Sequence, residues 1–389
     1  MRIWIVDPPN MVPYYDASLC RALQAEGHDI TMITSPFTYD DWPIYQGVQV
    51  NFIFSHFLLQ ALPRKLCQNK RLRRVFRAAT YPLDLLKLIT QLPQPPAIIH
   101  FQWSAVPFLD AWAWRYIIKK GHRLVYTAHN VIPHDTVKPP PNLAALYNIP
   151  QRIIVHSYAL AQQMEETFPE TSARLSVIPM GVLFEDVTDL SRAEARRKLN
   201  LPSETPVALF WGLIEPYKGV ECLIKAFSLV ARELPQARLL IVGRANISIE
   251  PYQNLIQALN LSEAIYTRFE FVPTEEISLY FSAADLVVLP YLEASQSAVL
   301  LTAYRFGRAV LVTETGGLPE TVMPERNGLV VPPNDETALA EALIRLLSAP
   351  QTLVDMGAAS QKLGTEKHNW RKIAKQTTNL YRQLFPYGM

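Results

Sequence analysis

The chain has 389 residues, enough for two domains of ordinary size. Hydrophobic residues make up 49% of it and charged residues 19%, so the composition supports large packed cores and excludes general disorder. The 37 basic and 35 acidic residues leave a formal net charge of +2, which argues against a nucleic-acid partner. Three cysteines are too few for a disulfide framework or a zinc cluster, so we expect a cytoplasmic protein.

Short apolar runs alternate with amphipathic stretches along the first half, a pattern typical of a parallel sheet covered by helices. The predicted strands are residues 2–6, 29–34, 48–54, 97–101, 123–127 and 152–156, and the predicted helices are residues 15–26 and 106–120. The N-terminal residues turn polar after six positions, so they indicate a buried first strand rather than a signal peptide.

The same alternation restarts in the second half, after a polar, helix-prone stretch at residues 186–200. The predicted strands there are residues 207–210, 237–242, 269–272, 286–289 and 309–312, and the predicted helices are residues 219–233, 250–259, 275–284, 298–306 and 337–348. The fold class is therefore α/β, with two doubly wound Rossmann-like domains and a ligand cleft between them. Neither half has a Gly-x-Gly-x-x-Gly turn after its first strand, which disfavours a nicotinamide or flavin cofactor.

Three turns rich in glycine or serine follow strands of the second half, at residues 210–220, 290–298 and 315–320. Glycines let the backbone approach a ligand closely, and amides at a helix start attract phosphate. Lys218 would add a full positive charge beside the first of these turns. Taken singly, such a turn is better explained by ordinary strand–helix turn chemistry, but three of them along one sheet favour an anionic ligand.

These turns carry a family resemblance. The second half resembles the donor domain of the retaining group 1 glycosyltransferases of family 4, which have the GT-B fold. The resemblance rests on residues 212–219, 241–243, 279–290, 303–307, 316–320 and 328–333, and in the first half on residues 26–30 and 156–157. It implies an acceptor-binding domain at residues 1–185, a donor-binding domain at residues 186–368, and a final helix, residues 369–389, that crosses back to the first domain.

Some positions depart from the pattern of that family. The arginine that follows the first glycine is Leu213 here, and the basic residue that a subgroup has two positions later is Glu215. Arg244, directly after Gly243, is the candidate substitute for the missing charge. The two family glutamates fall on Ala294 and Thr302, which puts ribose recognition in doubt. The donor-binding residues that the resemblance implies are Gly212, Glu215, Arg244, Val272, Pro273, Gln296, Ser297, Ala298 and Thr302, with Lys218 as a catalytic residue that neutralises the leaving diphosphate.

In the first half, His129 follows a predicted strand and matches the active-site histidine of the family, so it is the second catalytic candidate. Trp103, at the end of a neighbouring strand, is equally suited to stacking on a sugar and to a place in the core. The remaining acceptor-side candidates are Tyr14, Tyr15, Asp16 and His134.

The resemblance implies an enzyme that transfers a sugar, with retention, from a UDP or GDP sugar to a glycan or lipid-linked acceptor. No Asp-x-Asp motif is placed at a strand end, so we expect no metal and no other cofactor. Two alternatives stay open: a catalytically silent GT-B scaffold or subunit, which would explain the missing arginine and glutamates, and a nucleotide-sugar epimerase.

Residues 63–77 hold seven basic side chains and no acidic one, with apolar residues at helical spacing. Such a segment suits anionic lipid head groups, although a solvated helix packed on its own domain is an equal alternative. No apolar run reaches the roughly 20 residues that a spanning helix needs. The expectation is thus a cytoplasmic protein attached peripherally to the inner face of the membrane.

Overall fold

A computed structural model describes residues 1–55, 70–132, 139 and 142–385. The chain divides into two compact units, one formed by Met1–Gly181 with Trp370–Met389 and the other by Val182–Asn369. Each unit is built on one sheet whose strands all run parallel. The predicted fold class, two doubly wound Rossmann-like sheets, is confirmed.

The first unit contains a seven-stranded sheet in the order β3-β2-β1-β4-β5-β6-β7. Its strands are β1 (Arg2–Asp7), β2 (Asp29–Thr34), β3 (Gln49–Phe52), β4 (Ile98–Phe101), β5 (Arg123–Thr127), β6 (Arg152–Val155) and β7 (Leu175–Val177). The helices described before the second unit are α1 (Pro13–Ala25), α2 (Lys70–Thr90), α3 (Pro107–Lys119), α4 (Leu143–Tyr147) and α5 (Tyr158–Thr167). β4 is buried along its whole length, and three of its four residues are apolar, as expected for a strand covered on both faces.

The second unit contains a six-stranded sheet in the order β10-β9-β8-β11-β12-β13. Its strands are β8 (Val207–Trp211), β9 (Arg238–Val242), β10 (Ile265–Arg268), β11 (Leu286–Leu289), β12 (Ala309–Thr313) and β13 (Gly328–Val331). Its helices are α6 (Arg192–Lys198), α7 (Val220–Glu233), α8 (Glu250–Ala258), α9 (Ile277–Ala283), α10 (Ala298–Arg305), α11 (Glu336–Leu347) and α12 (Pro350–Glu366). The strand order reverses between β8 and β11, and open parallel sheets bind ligands at such a switch point.

The final helix, α13 (Trp370–Arg382), belongs to the first unit and packs on α1. The rings of Trp370 and Tyr15 meet edge to face at 5.3 Å between centroids. A Cβ on Gly181 would lie 2.3 Å from the Trp370 ring, so only glycine fits where the chain leaves the first unit. Thr378 adds a side-chain hydrogen bond to His28, with 2.9 Å between Oγ1 and Nε2.

One predicted strand is wrong. Residues 269–272 form no strand, and β10 lies four residues earlier, at Ile265–Arg268. The last hydrogen bond between β9 and β10 runs from the Gly243 N–H to the Arg268 carbonyl, at 2.9 Å. The three apolar residues at positions 269, 271 and 272 suggested a strand, but Val272 is buried in the loop that precedes α9.

Candidate active site

The loops after β8 and β9 meet backbone to backbone at two glycines. Gly212 and Gly243 have φ angles of 125° and 142°, which are open to glycine and strained for other residues. A Cβ on Gly243 would lie 1.8 Å from the Gly212 carbonyl oxygen, closer than any real contact. The Ile214 N–H then donates to the Arg244 carbonyl at 3.0 Å, so the two loops are held together beyond the strands.

The loop after β8 is also fixed to the loop after β11, its neighbour across the switch point. Gly219 has a φ of 67°, and a Cβ there would lie 1.9 Å from the Pro290 carbonyl oxygen. The Leu292 N–H donates to the Tyr217 carbonyl at 2.7 Å. Between these two contacts the chain makes a short 3-10 turn, Pro216–Lys218, and α7 begins at Val220. Lys218 is therefore held on a rigid loop at the end of the sheet where the carboxyl termini of its strands lie.

Lys218 is a half-buried cation beside aromatic rings. Its Nζ lies 3.5 Å from the centroid of the Tyr291 ring and 4.9 Å from that of Tyr217. Burial lowers the pKa of the Lys218 ammonium to about 7. Within the described part of the chain, no carboxylate forms an ion pair with Lys218. An anion that bound here would therefore meet a positioned cation with no competing counter-ion.

The loop after β11 ends in the N-terminus of α10. Ser297 is the buried N-cap, and its Oγ accepts from the Leu300 N–H at 3.3 Å. The Gln296 side-chain amide donates to the Gly317 carbonyl at 3.3 Å, and Gly317 N–H donates to the Ser295 carbonyl at 3.1 Å. A Cβ on Gly316 would lie 1.5 Å from the Ala294 carbonyl oxygen. The third glycine turn is thus locked onto the second, next to helix amides that have no intrahelical partner.

The other predicted donor residues have different surroundings. Thr302 is buried, and its hydroxyl donates to the Ala298 carbonyl one turn back, at 2.8 Å. Glu215 accepts a 2.7 Å hydrogen bond from the Asn246 side-chain amide, a contact between the loops after β8 and β9. Val272 is buried and Pro273 precedes a 3-10 turn, both at the edge of the same sheet. Tyr291 and Asn246 were not singled out by the sequence, since only the folded loops bring them to Lys218 and Glu215.

In the first unit, three histidines lie near the carboxyl ends of the adjacent strands β4, β5 and β6: His100 is within β4, and His129 and His156 follow β5 and β6. His129 Nδ1 lies 3.2 Å from His156 Nε2, and His129 Nε2 lies 3.2 Å from the Gln102 side-chain oxygen. Gln102 Nε2 is in turn 3.4 Å from His100 Nε2. His100 also contacts Thr127 Oγ1 at 2.7 Å and Tyr381 of α13 at 2.6 Å. One continuous side-chain network therefore surrounds the predicted catalytic histidine.

The carbonyl of Ile178 fixes the tautomers of this network. It lies 2.9 Å from His156 Nδ1 and can only accept, so His156 Nδ1 carries a proton and Nε2 accepts in the neutral ring. His129 Nδ1 must then donate, which leaves its Nε2 as an acceptor. His129 Nε2 and Gln102 Oε1 would then both be acceptors and could not hydrogen-bond to each other. The contact becomes a hydrogen bond if the Gln102 amide is flipped so that its NH₂ group donates to His129 Nε2, or if one imidazole takes up a further proton.

Burial keeps these imidazoles neutral. It lowers the pKa of His156 to about 4, and together with the neighbouring His156 it lowers the pKa of His100 to about 3. The same two causes hold the pKa of His129 well below its ordinary value. At neutral pH the carboxyl edge of this sheet therefore presents His129 without charge, and the Gln102 amide donates to it.

The predicted acceptor residues separate into buried and half-exposed groups. Trp103 stacks face to face on His129, with 5.0 Å between centroids and 6° between planes. Tyr15 meets His129 edge-on at 5.3 Å but is buried, as is Asp16. Tyr14 is half exposed, and its hydroxyl donates to Asp40 at 3.0 Å. The prediction for His134 falls outside the described residues.

The sequence contained a pattern that could have predicted the histidines that join His129 in this network. His100, His129 and His156 all come at or just after the ends of predicted strands, so parallel pairing in register would have predicted their meeting. Among the described residues, no group of three or more His, Cys, Asp or Glu side chains could hold a metal ion. No helix in the described part of the chain is long and apolar enough to cross a membrane.

Comparison with known proteins places both units in one family. A model described as "Glycosyltransferase Family 4" matches residues 15–185, and one described as "Glycosyl transferases group 1" matches residues 191–363. A D-inositol 3-phosphate glycosyltransferase of Corynebacterium jeikeium (strain K411) is 29% identical over 245 residues, 61% of this chain and 58% of that relative. The match thus spans less than two thirds of the relative's length.

Two solved structures show the fold. Sucrose-phosphate synthase from Thermosynechococcus elongatus has a TM-score of 0.78 and 24% identity, and the match covers 99% of both chains. Anabaena HepE, solved in complex with UDP, has a TM-score of 0.73 and 17% identity over 98% of this chain and 100% of that one. The family resemblance predicted from the sequence is confirmed: the chain belongs to the group 1 glycosyltransferases, in the retaining family 4 with the GT-B fold.

Proposed function

We propose that this chain transfers a sugar from a nucleoside-diphosphate sugar, with UDP or GDP as the nucleotide, to a glycan or lipid-linked acceptor with retention at the anomeric carbon and without a metal. The observation that carries the proposal is Lys218, a positioned cation without a carboxylate partner in the described chain, at the switch point of the second sheet. The solved HepE structure, whose fold this chain shares, contains UDP, which supports a nucleoside diphosphate at this edge.

Departure of the diphosphate is the step that these residues would assist. As the glycosidic bond breaks, negative charge develops on the leaving phosphate, and fixed donors aimed at that charge lower the barrier. Lys218 would supply a charge, and the first amides of α10, behind Ser297, would supply hydrogen bonds. Arg244 follows Gly243 in the loop bonded to Ile214, and we keep it as the candidate for the charge that Leu213 lacks.

His129 would contact the donor sugar or the incoming hydroxyl. An oxocarbenium-like transition state is positively charged, so a neutral imidazole stabilises it better than an imidazolium would. The network of Gln102 and His156 orients the ring and keeps it neutral, which makes those two residues positioning residues. Trp103, stacked on His129, and the half-exposed Tyr14 remain the acceptor-side candidates; Tyr15 and Asp16 would act through them because both are buried.

A silent scaffold is the second candidate function. It is favoured by two observations: Leu213 is exposed where the family has arginine, and the Thr302 hydroxyl already donates to a carbonyl where the family has a ribose-binding glutamate. A scaffold would keep the fold and bind acceptor or partner without releasing nucleotide. Peripheral attachment to the inner face of a membrane through residues 63–77 belongs to the proposal as well; residues 63–69 of that segment lie outside the described residues.

A thermal-shift panel followed by turnover measurements tests the proposal. UDP, GDP and ADP are added to the full chain, and a ligand at 100 times its dissociation constant stabilises the folded state by about 2.7 kcal/mol. The stabilising nucleotide identifies the donor series, and NMR of the product gives the anomeric configuration. Lys218→Ala should lower turnover by roughly 10²–10³-fold, as for loss of one oxyanion donor. Stabilisation without nucleotide release would support the scaffold; no stabilisation by any nucleotide overturns both donor binding and transfer.

A further inference from the structure

Two helices of the first unit lie side by side on the same face of its sheet. The chain runs from β3 through α2 to β4 and from β4 through α3 to β5, moving in one direction across the sheet. Because such crossovers are right-handed, both helices cover the same face. The Tyr81 hydroxyl of α2 donates to the Asp110 carboxylate of α3, which ties the two helices together. Tyr81, Leu85, Leu88, Trp114 and Ile117 are buried in the core.

The opposite side of this helix pair is apolar and exposed. On α2, Val75, Leu83 and Leu86 are 64%, 68% and 48% exposed, and their spacing of eight and three residues keeps them in one stripe. On α3, Phe108 and Trp112 are 59% and 48% exposed and stand one turn apart. Five large apolar side chains on adjacent helices exceed the single exposed residues that any surface shows, and such a concentration marks an interaction site.

The exposed charged residues around this apolar surface are basic. Lys87, Arg115, Lys119 and Lys120 are exposed on the two helices or directly after them. The single acid of α2, Asp84, accepts from the Ser55 N–H at 2.9 Å. The single acid of α3, Asp110, is buried and accepts from Ser104 at 2.6 Å and from the Val106 N–H at 2.9 Å. Both carboxylates are thus occupied by hydrogen bonds within the unit, whereas the four basic side chains are exposed.

We propose that this surface, the α2–α3 face (Val75, Leu83, Leu86, Phe108 and Trp112 with Lys87, Arg115, Lys119 and Lys120), docks on an anionic lipid membrane. Helices that lie in a membrane interface combine aromatic and aliphatic residues with lysine and arginine and exclude acids. The sequence of α2 adds to the match, with six basic residues and one acid. A protein partner is less suited, because lysine is depleted at protein interfaces. This inference rests on the peripheral attachment included in the proposed function and names the surface that makes it, and its test does not depend on activity.

Vesicle flotation of the full chain is the experiment. The vesicles contain phosphatidylcholine alone or with 30 mol% phosphatidylglycerol, each at 50 mM and 500 mM salt. We expect binding to the anionic vesicles at low salt, since salt screens the attraction. The charge variant is Arg115→Gln, Lys119→Gln and Lys120→Gln together. Each basic residue near an anionic surface changes partitioning about fivefold, so the triple variant should bind roughly 100-fold less.

A second variant tests insertion of the apolar side chains. Leu83→Gln, Leu86→Gln and Phe108→Gln together should weaken flotation at least about tenfold, because these side chains lose their apolar burial in the interface. Lipids with brominated acyl chains should quench part of the tryptophan fluorescence, and Trp112→Phe should remove most of that quenching while flotation persists. This readout separates insertion from adsorption by charge.

Matched controls use exposed residues of other surfaces. Lys362→Gln, Lys367→Gln and Lys375→Gln remove three exposed charges from α12 and α13 and the turn between them, and Val354→Gln removes a side chain that is 59% exposed on α12. These variants should float like the parent chain. Equal loss in controls and test variants, or no flotation of the parent at low salt, overturns the proposal. It is also overturned if the glutamine variants dissociate a dimer in light scattering and leave flotation unchanged, because the face would then join two copies of the chain.

Discussion

The Nζ of Lys218 lies 3.5 Å from the centroid of the Tyr291 ring, although the two residues come from loops that follow different strands. A lysine over an aromatic face is attracted to the ring, yet burial lowers the pKa of this ammonium to about 7. The loop contacts at Gly219 and Leu292 hold the pair in place. The site is therefore organised before a ligand arrives, and the charge of Lys218 depends on pH in the physiological range.

Lys218 should become protonated when the nucleotide binds. With the diphosphate bound, the pKa of the ammonium rises above its free value of about 7. The contribution of Lys218 to the affinity is then constant below pH 7, where lysine is charged in both states, and falls above pH 7 by up to about tenfold per pH unit until the pKa of the complex is reached. Titration calorimetry with UDP at pH 8, in buffers of different ionisation enthalpy, measures the uptake.

Lys218→Arg is the control for that measurement, because arginine keeps its charge at every pH used. The variant should bind UDP without proton uptake and with a flat pH dependence between 7 and 9. If the parent chain also binds without taking up a proton at pH 8, Lys218 is not the group that meets the phosphates.

Gly243→Ala should disrupt the second unit more than the φ angle alone explains. Its Cβ would lie 1.8 Å from the Gly212 carbonyl oxygen, so the loops after β8 and β9 must separate. A backbone clash of this kind is expected to cost about 3 kcal/mol or more and to weaken nucleotide binding. Gly47→Ala is the matched control, since Gly47 has a φ of +76° but nothing within 4 Å of its Cβ, and left-handed strain alone costs about 1–2 kcal/mol. Equal losses of melting temperature in the two variants would contradict the steric argument.

Gln102→Glu should raise the pKa of His129. The substitution places a carboxylate oxygen where the Gln102 side-chain amide lies, 3.2 Å from His129 Nε2, and an adjacent negative charge favours the imidazolium. The pKa, now well below 6.5, should move back toward that ordinary value, as measured by NMR of histidine nitrogens. Turnover should fall more at pH 6 than at pH 8, because a charged ring opposes the cationic transition state.

Gln102→Met is the comparison for that profile, since it removes the amide without adding charge. It should lower turnover by a similar factor at both pH values. A pH profile of Gln102→Glu that parallels the parent profile would show that His129 does not act as a neutral ring near the reacting sugar.

Asp16→Asn should stabilise the protein at neutral pH. Burial, and the neighbouring Asp7 carboxylate that hydrogen-bonds to it, raise the pKa of Asp16 well above the ordinary value. A carboxyl group with a raised native pKa is protonated in the folded state and ionised in the unfolded one, so its stabilising effect is present below about pH 4 and is lost as pH rises. Denaturant unfolding should show the asparagine variant more stable at pH 7 and equal to the parent near pH 4; an unchanged difference across that range would contradict the linkage.

Local patterns predicted most of the scaffold, because buried parallel strands are continuous apolar runs. The strand at residues 269–272 failed for the same reason, since Val272 is apolar but lies in a loop. Lys218 and His129 could be singled out from spacing and family resemblance. Tyr291 could not, because its contact with Lys218 depends on loops locked at Gly219, and Gln102 and His156 required the register of three parallel strands.

The route of the chain constrains how the molecule is made. The chain leaves the first unit after Gly181 and returns to it at Trp370, whose ring packs against that glycine. During synthesis the second unit can therefore close on its own while the first still lacks α13. Until that helix leaves the ribosome, His28 and His100 have no Thr378 or Tyr381 to contact. The unit made first is thus completed last, because the His100 end of the histidine network lacks its Tyr381 contact until α13 has been made.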